Sequence, residues 1–389
     1  MTKRIPAVYM RGGSSKGVFF LASDLPRDPS ERDALLLRVM GSPDPFGTQM
    51  DGMGGATSST SKVVIIGPSN RKDCDVDYLF GAVAIDRPVI DWSGNCGNLT
   101  SAVGPFALST GLVPVPGTAG PGFATVRIWQ ANIGAKIVAR VPLRDGRPLE
   151  EGDFVLDGVA FPGAEIRIDY LDPAASESGE AAGGMFPSGK PIDELAVPRI
   201  GRLEVSMVNA GNPAVFARAA DLGLTGTELP GVLNADAALL TRLELVRSTA
   251  AVAMGLASSP EDATRNRPHT PKLALVSAPA TYTSTAAKTV AAESIDLCAR
   301  VVSMGKLHHA IPGTVAVAFA VASALPDTIV SEMARLSDEG LLRLGHPAGT
   351  MTVGAEAEET KEGWKVRKVS MGRSARVLMS GFVYAQVSD

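Results

Sequence analysis

Asp91-Trp92-Ser93-Gly94-Asn95-Cys96-Gly97-Asn98-Leu99-Thr100 is the stretch that decides the fold and most of the function. Glycine and asparagine crowd around one cysteine, and an Ala-rich apolar run then extends from Thr100 to Leu108. The polar turn ends extended structure and the apolar run predicts a helix, so Cys96 falls at the entrance to its first turn. The leading N–H groups of a helix lack partners within it and attract anions. A substrate carboxylate or a thiolate is therefore favoured there. A lone cysteine is more often a small buried hydrophobe, but packing gains little in so polar a turn. No histidine lies nearby in sequence, so a protease-type dyad is not indicated. A thiol can also give and take protons at carbon.

Upstream, Ile5–Met10 predicts a strand leading into Arg11-Gly12-Gly13-Ser14-Ser15-Lys16-Gly17, and Val18–Leu21 a second strand. Such a turn can expose several N–H groups in one concavity. A helix is expected over Glu31–Met40, with Leu35, Leu36 and Val39 on its apolar side. Strands follow at Val63–Ile66 and Val76–Ile85, and, beyond Cys96, at Thr125–Gln130 and Lys136–Pro142, with short extended pieces at Asp157–Phe161 and Glu165–Asp169. Ala174–Lys190 is poor in large apolar residues and predicts a linker.

The second half opens with a strand at Leu203–Asn209 and a turn at Asn209–Pro213. Ala237–Met254 predicts a helix capped by Asp236. A strand is expected at Leu273–Ser277, a helix at Ser294–Ser303, and a helix from Gly313-Thr314 to Leu325, where Pro326 stops it. Trp364–Ser370 and Ser374–Val383 predict late strands. The halves rhyme: each holds a central Ala/Val-rich helix behind a glycine turn, Cys96-Gly97-Asn98 in one and Pro312-Gly313-Thr314 in the other. Two such helices meeting at a cleft would bind a polyanion.

The bulk numbers narrow the function. A length of 389 residues predicts two or three domains. With 45% apolar and 20% charged residues the composition is that of an ordinary globular protein. A net charge of -4 gives no reason to expect nucleic acid or an anionic membrane as partner. Aromatic residues, at 5%, supply few stacking platforms for bases. Cys74, Cys96 and Cys298 are dispersed without a Cys-x-x-Cys, which argues against a disulfide framework and for a reducing, cytoplasmic location. The N-terminus lacks a signal-peptide core, and the apolar run Thr314–Leu325 is too short to span a bilayer.

Among further candidates, Lys62 follows a Gly/Ser/Thr-rich stretch and opens a buried strand, which sets a solvated edge lysine against a general acid/base or a partner for Cys96. Gly12–Lys16 lacks the spacing and the following helix of a phosphate loop, so no nucleotide is implied. Ser14, Ser15 and Lys16 could instead hold carboxylates. His308 and His309 are adjacent and expected to diverge, which disfavours a shared metal, and no metal site is expected from four scattered histidines. Either ring could meet a carboxylate beside Lys306. Of Arg373 and Arg376, one is expected to face a ligand.

Three strings, Met10–Phe20, Asp51–Lys62 and Asp91–Asn98, resemble the 2-methylaconitate cis–trans isomerase (PrpF) family, and Ser303–Ala310 and Met371–Val377 extend the likeness over essentially the whole chain. The resemblance implies a diaminopimelate-epimerase-like α/β (α+β) fold: two similar domains, each a curled mixed sheet around a central helix, with the site between them. The domains expected are residues 1–185, carrying Lys62 and Cys96, and residues 186–389, with the last strands packing back on the first. In that superfamily two cysteines exchange protons. Cys96 matches the first, in Asn-Cys-Gly-Asn; the second precedes Gly-Thr, where this chain has Pro312. The isomerase branch is thought to pair a lysine with the first cysteine, and Lys62 matches it.

The implied reaction is cofactor-independent isomerisation of 2-methylaconitate in the methylcitrate cycle of propionate catabolism. Removing a CH2 proton gives a dienolate whose former double bond can rotate; returning the proton gives the other isomer. Lys62 is read as the base and Cys96 as its acid/base partner. Gly97, Asn98, Gly313, Thr314, Ser14, Ser15, Lys16, Lys306, His308 and His309 are read as substrate-binding. The partners implied are a tricarboxylate and a functionally coupled iron–sulfur 2-methylcitrate dehydratase, with a homodimer left open. Two alternatives remain: an allylic Δ-isomerase of aconitate, oxalomesaconate or methylitaconate, and a non-catalytic accessory protein of the dehydratase.

Overall fold

The computed structural model describes residues 2–115, 120–174, 184–335, 340–361 and 363–386. Its strands form a topological repeat. The first series is Thr2–Gly12, Ser15–Leu21, Lys62–Pro68, Val76–Val83, Pro121–Gln130, Ala135–Arg144 and Ile166–Leu171. Successive neighbours pair antiparallel, parallel, antiparallel, parallel, antiparallel and antiparallel. The second series is Gly201–Ala210, Asn212–Arg218, Lys272–Ser277, Leu297–Ser303, Leu341–His346, Gly349–Thr360 and Gly363–Arg373. It repeats the same order of pairings.

Each series places its buried helix between the fourth and fifth strands, Gly97–Ser109 in the first and Gly313–Ala324 in the second. A parallel pair needs such a crossover. The last strands of the two series pair with each other, Ile166–Leu171 against Gly363–Arg373. The strand that follows each series pairs with the opening strand of the other: Asp193–Val197 with Gly201–Ala210, and Ala375–Gln386 with Thr2–Gly12.

The two helices are apolar or small-residued on every side, a pattern that belongs in a core. All residues from Gly97 to Leu108 and from Gly313 to Ser323 are buried. Phe19 and Phe216 hold equivalent places on the second strand of each series, and each packs on an aromatic ring of its own helix: Phe106 at 5.6 Å and Phe319 at 4.8 Å. Outer helices carry ordinary caps. Asp28 accepts from the N–H of Ser30 and Glu31 to start Pro29–Met40, two residues before the expected start. Asp236, the expected cap, accepts from Leu239 to start Ala237–Ala253.

Two expectations are corrected. Ser294–Ser303 is no helix: Leu297–Ser303 is a strand buried along its whole length, between Lys272–Ser277 and Leu341–His346. A strand covered on both faces shows no alternation, and its apolar run imitates a buried helix. Asp157–Phe161 forms turns and bends rather than a strand. The strands Leu341–His346 and Gly349–Thr360 were not foreseen. Much of the expected linker, residues 175–183, lies outside the described residues. Among the described residues, no helix is long and apolar enough to cross a membrane.

Candidate active site

Lys62 opens the third strand of the first series, opposite Ala82, and Cys96 caps the first buried helix. The fold brings these two residues together: the Lys62 ammonium or amine donates to Cys96 Sγ at 3.3 Å, with both side chains buried. Lys62 Nζ also stands 4.9 Å over the Phe80 ring. The second buried helix begins beside the first. A Cβ placed on Gly97 would lie 2.5 Å from the backbone nitrogen of Thr314. Unpartnered N–H groups of two helices thus converge where Lys62 and Cys96 meet, which concentrates positive potential for an anion.

The loop before each helix is held by the opposite series. The Asn95 N–H donates to Asn212 Oδ1 at 2.7 Å, and Asn212 Nδ2 donates back to the Asn95 carbonyl at 2.8 Å. Asp91 accepts from the N–H of both Ser93 and His269, at 2.8 Å each. Across the site, Ser59 Oγ meets His308 Nε2 at 3.3 Å and His309 Nδ1 at 3.2 Å. The adjacent histidines therefore converge, against expectation. Their rings stack at 4.6 Å because they lie in a loop, where neighbouring side chains need not alternate as they do along a strand.

Burial holds His269 and His308 well below the ordinary histidine range, with Lys272 and His309 respectively, and Lys62 in both cases, adding repulsion. His309 is lowered by burial and by Lys62. Lys272 is pushed well down by burial and then by Lys62. These three rings are thus neutral hydrogen-bonding groups near neutral pH. Among the described residues, no three His, Cys, Asp or Glu side chains gather as metal ligands.

Two cavities flank Ser59. The larger, about 510 Å³, is lined by Ser59, Ser303, Lys306 and His308, among others. The smaller, about 370 Å³, is walled by Arg11, Ser14, Ser15, Lys16, His309 and Arg376. Asn98, in the first turn of the helix, donates to Ser14 Oγ at 3.0 Å. Ser15 is buried, and its hydroxyl has no partner among the described residues. Gly97, Asn98, Gly313 and Thr314 are buried at the helix junction. Lys306 is exposed and lines the larger cavity. Arg376 lines the smaller cavity, while Arg373 is buried, donates to the Gly372 carbonyl and Met351 Sδ, and lines a separate cavity beside Met351. Cys298 packs on its strand, its Sγ 3.7 Å from the Ala280 carbonyl, and takes no part in the site.

Sequence reasoning missed Asp91, Asn212, His269 and Lys272. The signal for Lys272 was present: Lys272-Leu273-Ala274-Leu275-Val276 repeats the pattern of Lys62-Val63-Val64-Ile65-Ile66, a lysine heading a buried strand.

The family described as PrpF protein matches residues 2–386. The 2-methyl-aconitate isomerase of Shewanella oneidensis is 54% identical over 98% of this chain and 96% of its own length. That of Cupriavidus necator is 52% identical over the same shares. The crystal structure of methylitaconate-delta-isomerase superposes with a TM-score of 0.77 at 38% identity, covering 100% of this chain and 98% of that one. The chain belongs to the PrpF family and is an isomerase.

Proposed function

We propose that the chain interconverts cis and trans 2-methylaconitate, Lys62 removing an allylic proton and Cys96 serving as its acid/base partner. The observation that carries this reading is the 3.3 Å contact between Lys62 Nζ and Cys96 Sγ at the junction of two helix N-termini. An amine and a thiol in contact can hold one proton between them. The group without it takes the substrate's CH2 proton, and the pair returns it to the same carbon after the dienolate has rotated. The atoms balance, and no electron leaves the substrate. The charge that develops is spread over carboxylate and enolate oxygens. Fixed donors placed before the reaction stabilise it best, and the N–H groups of Gly97, Asn98, Gly313 and Thr314 are the candidates. Ser14, Ser15, Lys16, His308 and His309 would hold the remaining carboxylates, with Lys306 at the rim.

In the same reading, residues 1–185 and 186–389 are two similar domains, each a curled mixed sheet around its helix, in a cytoplasmic protein of the methylcitrate cycle. The isomer formed passes to an iron–sulfur 2-methylcitrate dehydratase. The likeness to methylitaconate-delta-isomerase favours one second reading, transfer of the double bond along a related substrate by returning the proton to a different carbon.

Proton NMR of products formed by the purified chain from 2-methylaconitate in deuterated water tests both readings. Deuterium at the original CH2 with altered geometry supports the first; a shifted alkene supports the second. K62M is expected to lower kcat by about 10²- to 10⁴-fold, the usual worth of a positioned acid/base. Wild-type turnover in both K62M and C96A, or none by the unmodified chain on any tricarboxylate, overturns the proton chemistry.

A further inference from the structure

We infer that Lys272 is the second amine of this active site, a positioning residue that fixes Cys96 through His269. The inference rests on Lys62 and Cys96 being the reacting pair.

The internal repeat equates the two lysines. In the first series Val63 pairs with Val18 on one side and Gly81 on the other. In the second, Leu273 pairs with Val215 and Val302. The residue just before each is a lysine, and each series then leads to a helix that starts with glycine at the same junction. The repeat keeps the lysine but not the thiol, since Pro312 stands where Cys96 stands. Opposite Lys62 is Ala82, so that amine is free to reach Cys96. Opposite Lys272 the register puts Ser303, and Lys272 Nζ donates to Ser303 Oγ at 2.8 Å.

A buried lysine is costly unless its hydrogens are used. Among the described residues no carboxylate forms an ion pair with Lys272; its other contact is His269 Nδ1 at 3.1 Å. With Nδ1 accepting, the proton of the neutral ring sits on Nε2 and is donated to the Asn95 carbonyl at 3.2 Å. Asn212 Nδ2 donates to the same oxygen. The peptide joining Asn95 to Cys96 is therefore gripped at its oxygen by two side chains of the second series. That peptide sets where the thiol points relative to Lys62. The other end of this line of contacts reaches a cavity, because Ser303 lines the larger one. One line of contacts thus runs from the cavity wall through Ser303, Lys272 and His269 to the backbone of Cys96.

The test compares K272M, H269A and their double variant in the full chain. Two quantities are measured: kcat and KM, and the rate of iodoacetamide alkylation at Cys96, resolved by peptide mass. Alkylation needs no substrate, so it judges the positioning role even if the proposed reaction is wrong. K272M and H269A should each lower kcat by about tenfold or more while KM stays within about twofold, as for an interaction that matters in the transition state. Each should change Cys96 alkylation by about threefold or more, and the double variant should lose no more than the worse single one, since both cut one line of contacts. Wild-type kcat and alkylation in K272M, or losses that add in the double variant, overturn the inference. Should K272M fail to fold, H269Q against H269A decides: glutamine keeps a donor for Asn95 and should recover part of the lost kcat, and equal losses overturn the role.

Discussion

Gly97 and Gly313, the first residues of the two buried helices, meet so closely that a Cβ on either would fall 2.6 Å from the carbonyl carbon of the other. The neighbour is backbone and cannot rotate aside, so an added methyl must part the helices. G97A and G313A are each expected to cost about 1–3 kcal/mol, the usual price of overpacking a core, and to lower kcat more than the stability loss explains. Alanine within a helix normally gains about 1 kcal/mol over glycine. A higher unfolding temperature in either variant would therefore show that the two N-termini are not in contact.

A single side chain satisfies both backbone groups of Asn95. Asn212 accepts from its N–H and donates to its carbonyl, in a place closed to water. N212A leaves the buried N–H without a partner, and the penalty for that is about 1–3 kcal/mol. Denaturant unfolding should show a loss in that range. Because Asn95 precedes Cys96, kcat should fall as well. An unchanged midpoint and rate would mean that the loop holds its place without Asn212.

The two helices and the thiol between them were legible because their signals are local: glycine turns, a cap position and unbroken apolar runs. Lys62 was legible as the head of a buried strand. Strand Leu297–Ser303 was not, since burial on both faces erases the alternation that separates strand from helix. The partners that hold Cys96 in place lie far off in sequence. Asn212 is 117 residues from Asn95, and Ser59 is 249 from His308. Contacts of that kind come from the pairing order of two strand series, which no window along the chain contains. The repeat itself could be sensed from the helices, but its register, and with it the equivalence of Lys62 and Lys272, needed the ladders.

The smaller cavity gathers Arg11, Lys16 and Arg376 against Glu150. Arg11 is already committed, donating to the carbonyls of Gly13 and Ser374, and burial followed by repulsion from Arg376 lowers its guanidinium. Arg376 is therefore expected, with Lys16, to meet a ligand carboxylate. R376Q should raise KM for a tricarboxylate severalfold with little change in kcat, the sign of binding shared by ground and transition states. It should also shrink the rise in unfolding temperature that the tricarboxylate gives. An unchanged KM would assign the remote carboxylate to the larger cavity instead.

The neutral buried histidines make stability depend on pH with a definite sign. His346 is fully buried and held down to about 3, chiefly by burial. Its Nδ1 accepts from the Ala348 N–H, which suits a neutral ring. Above about 6.5, the ordinary histidine value, folded and unfolded chains both carry the ring uncharged and it adds no pH dependence. Below that, the unfolded chain binds a proton that the folded chain refuses, so stability falls as pH falls, down to about 3 for His346. Each such ring adds a slope of ~1.4 kcal/mol per pH unit. His269 and His308, held well below their ordinary range, add to it. Between pH 6.5 and 5 most carboxylates stay ionised, so urea unfolding there reports on the buried bases, and a histidine variant separates out one ring. The wild type should lose stability steadily across that window, and H346N, whose amide oxygen can replace Nδ1 as acceptor, should lose less by about one ring's slope. A flat wild-type profile would mean that these rings take up protons in the folded chain, and that the hydrogen bonds around His269 belong to an imidazolium.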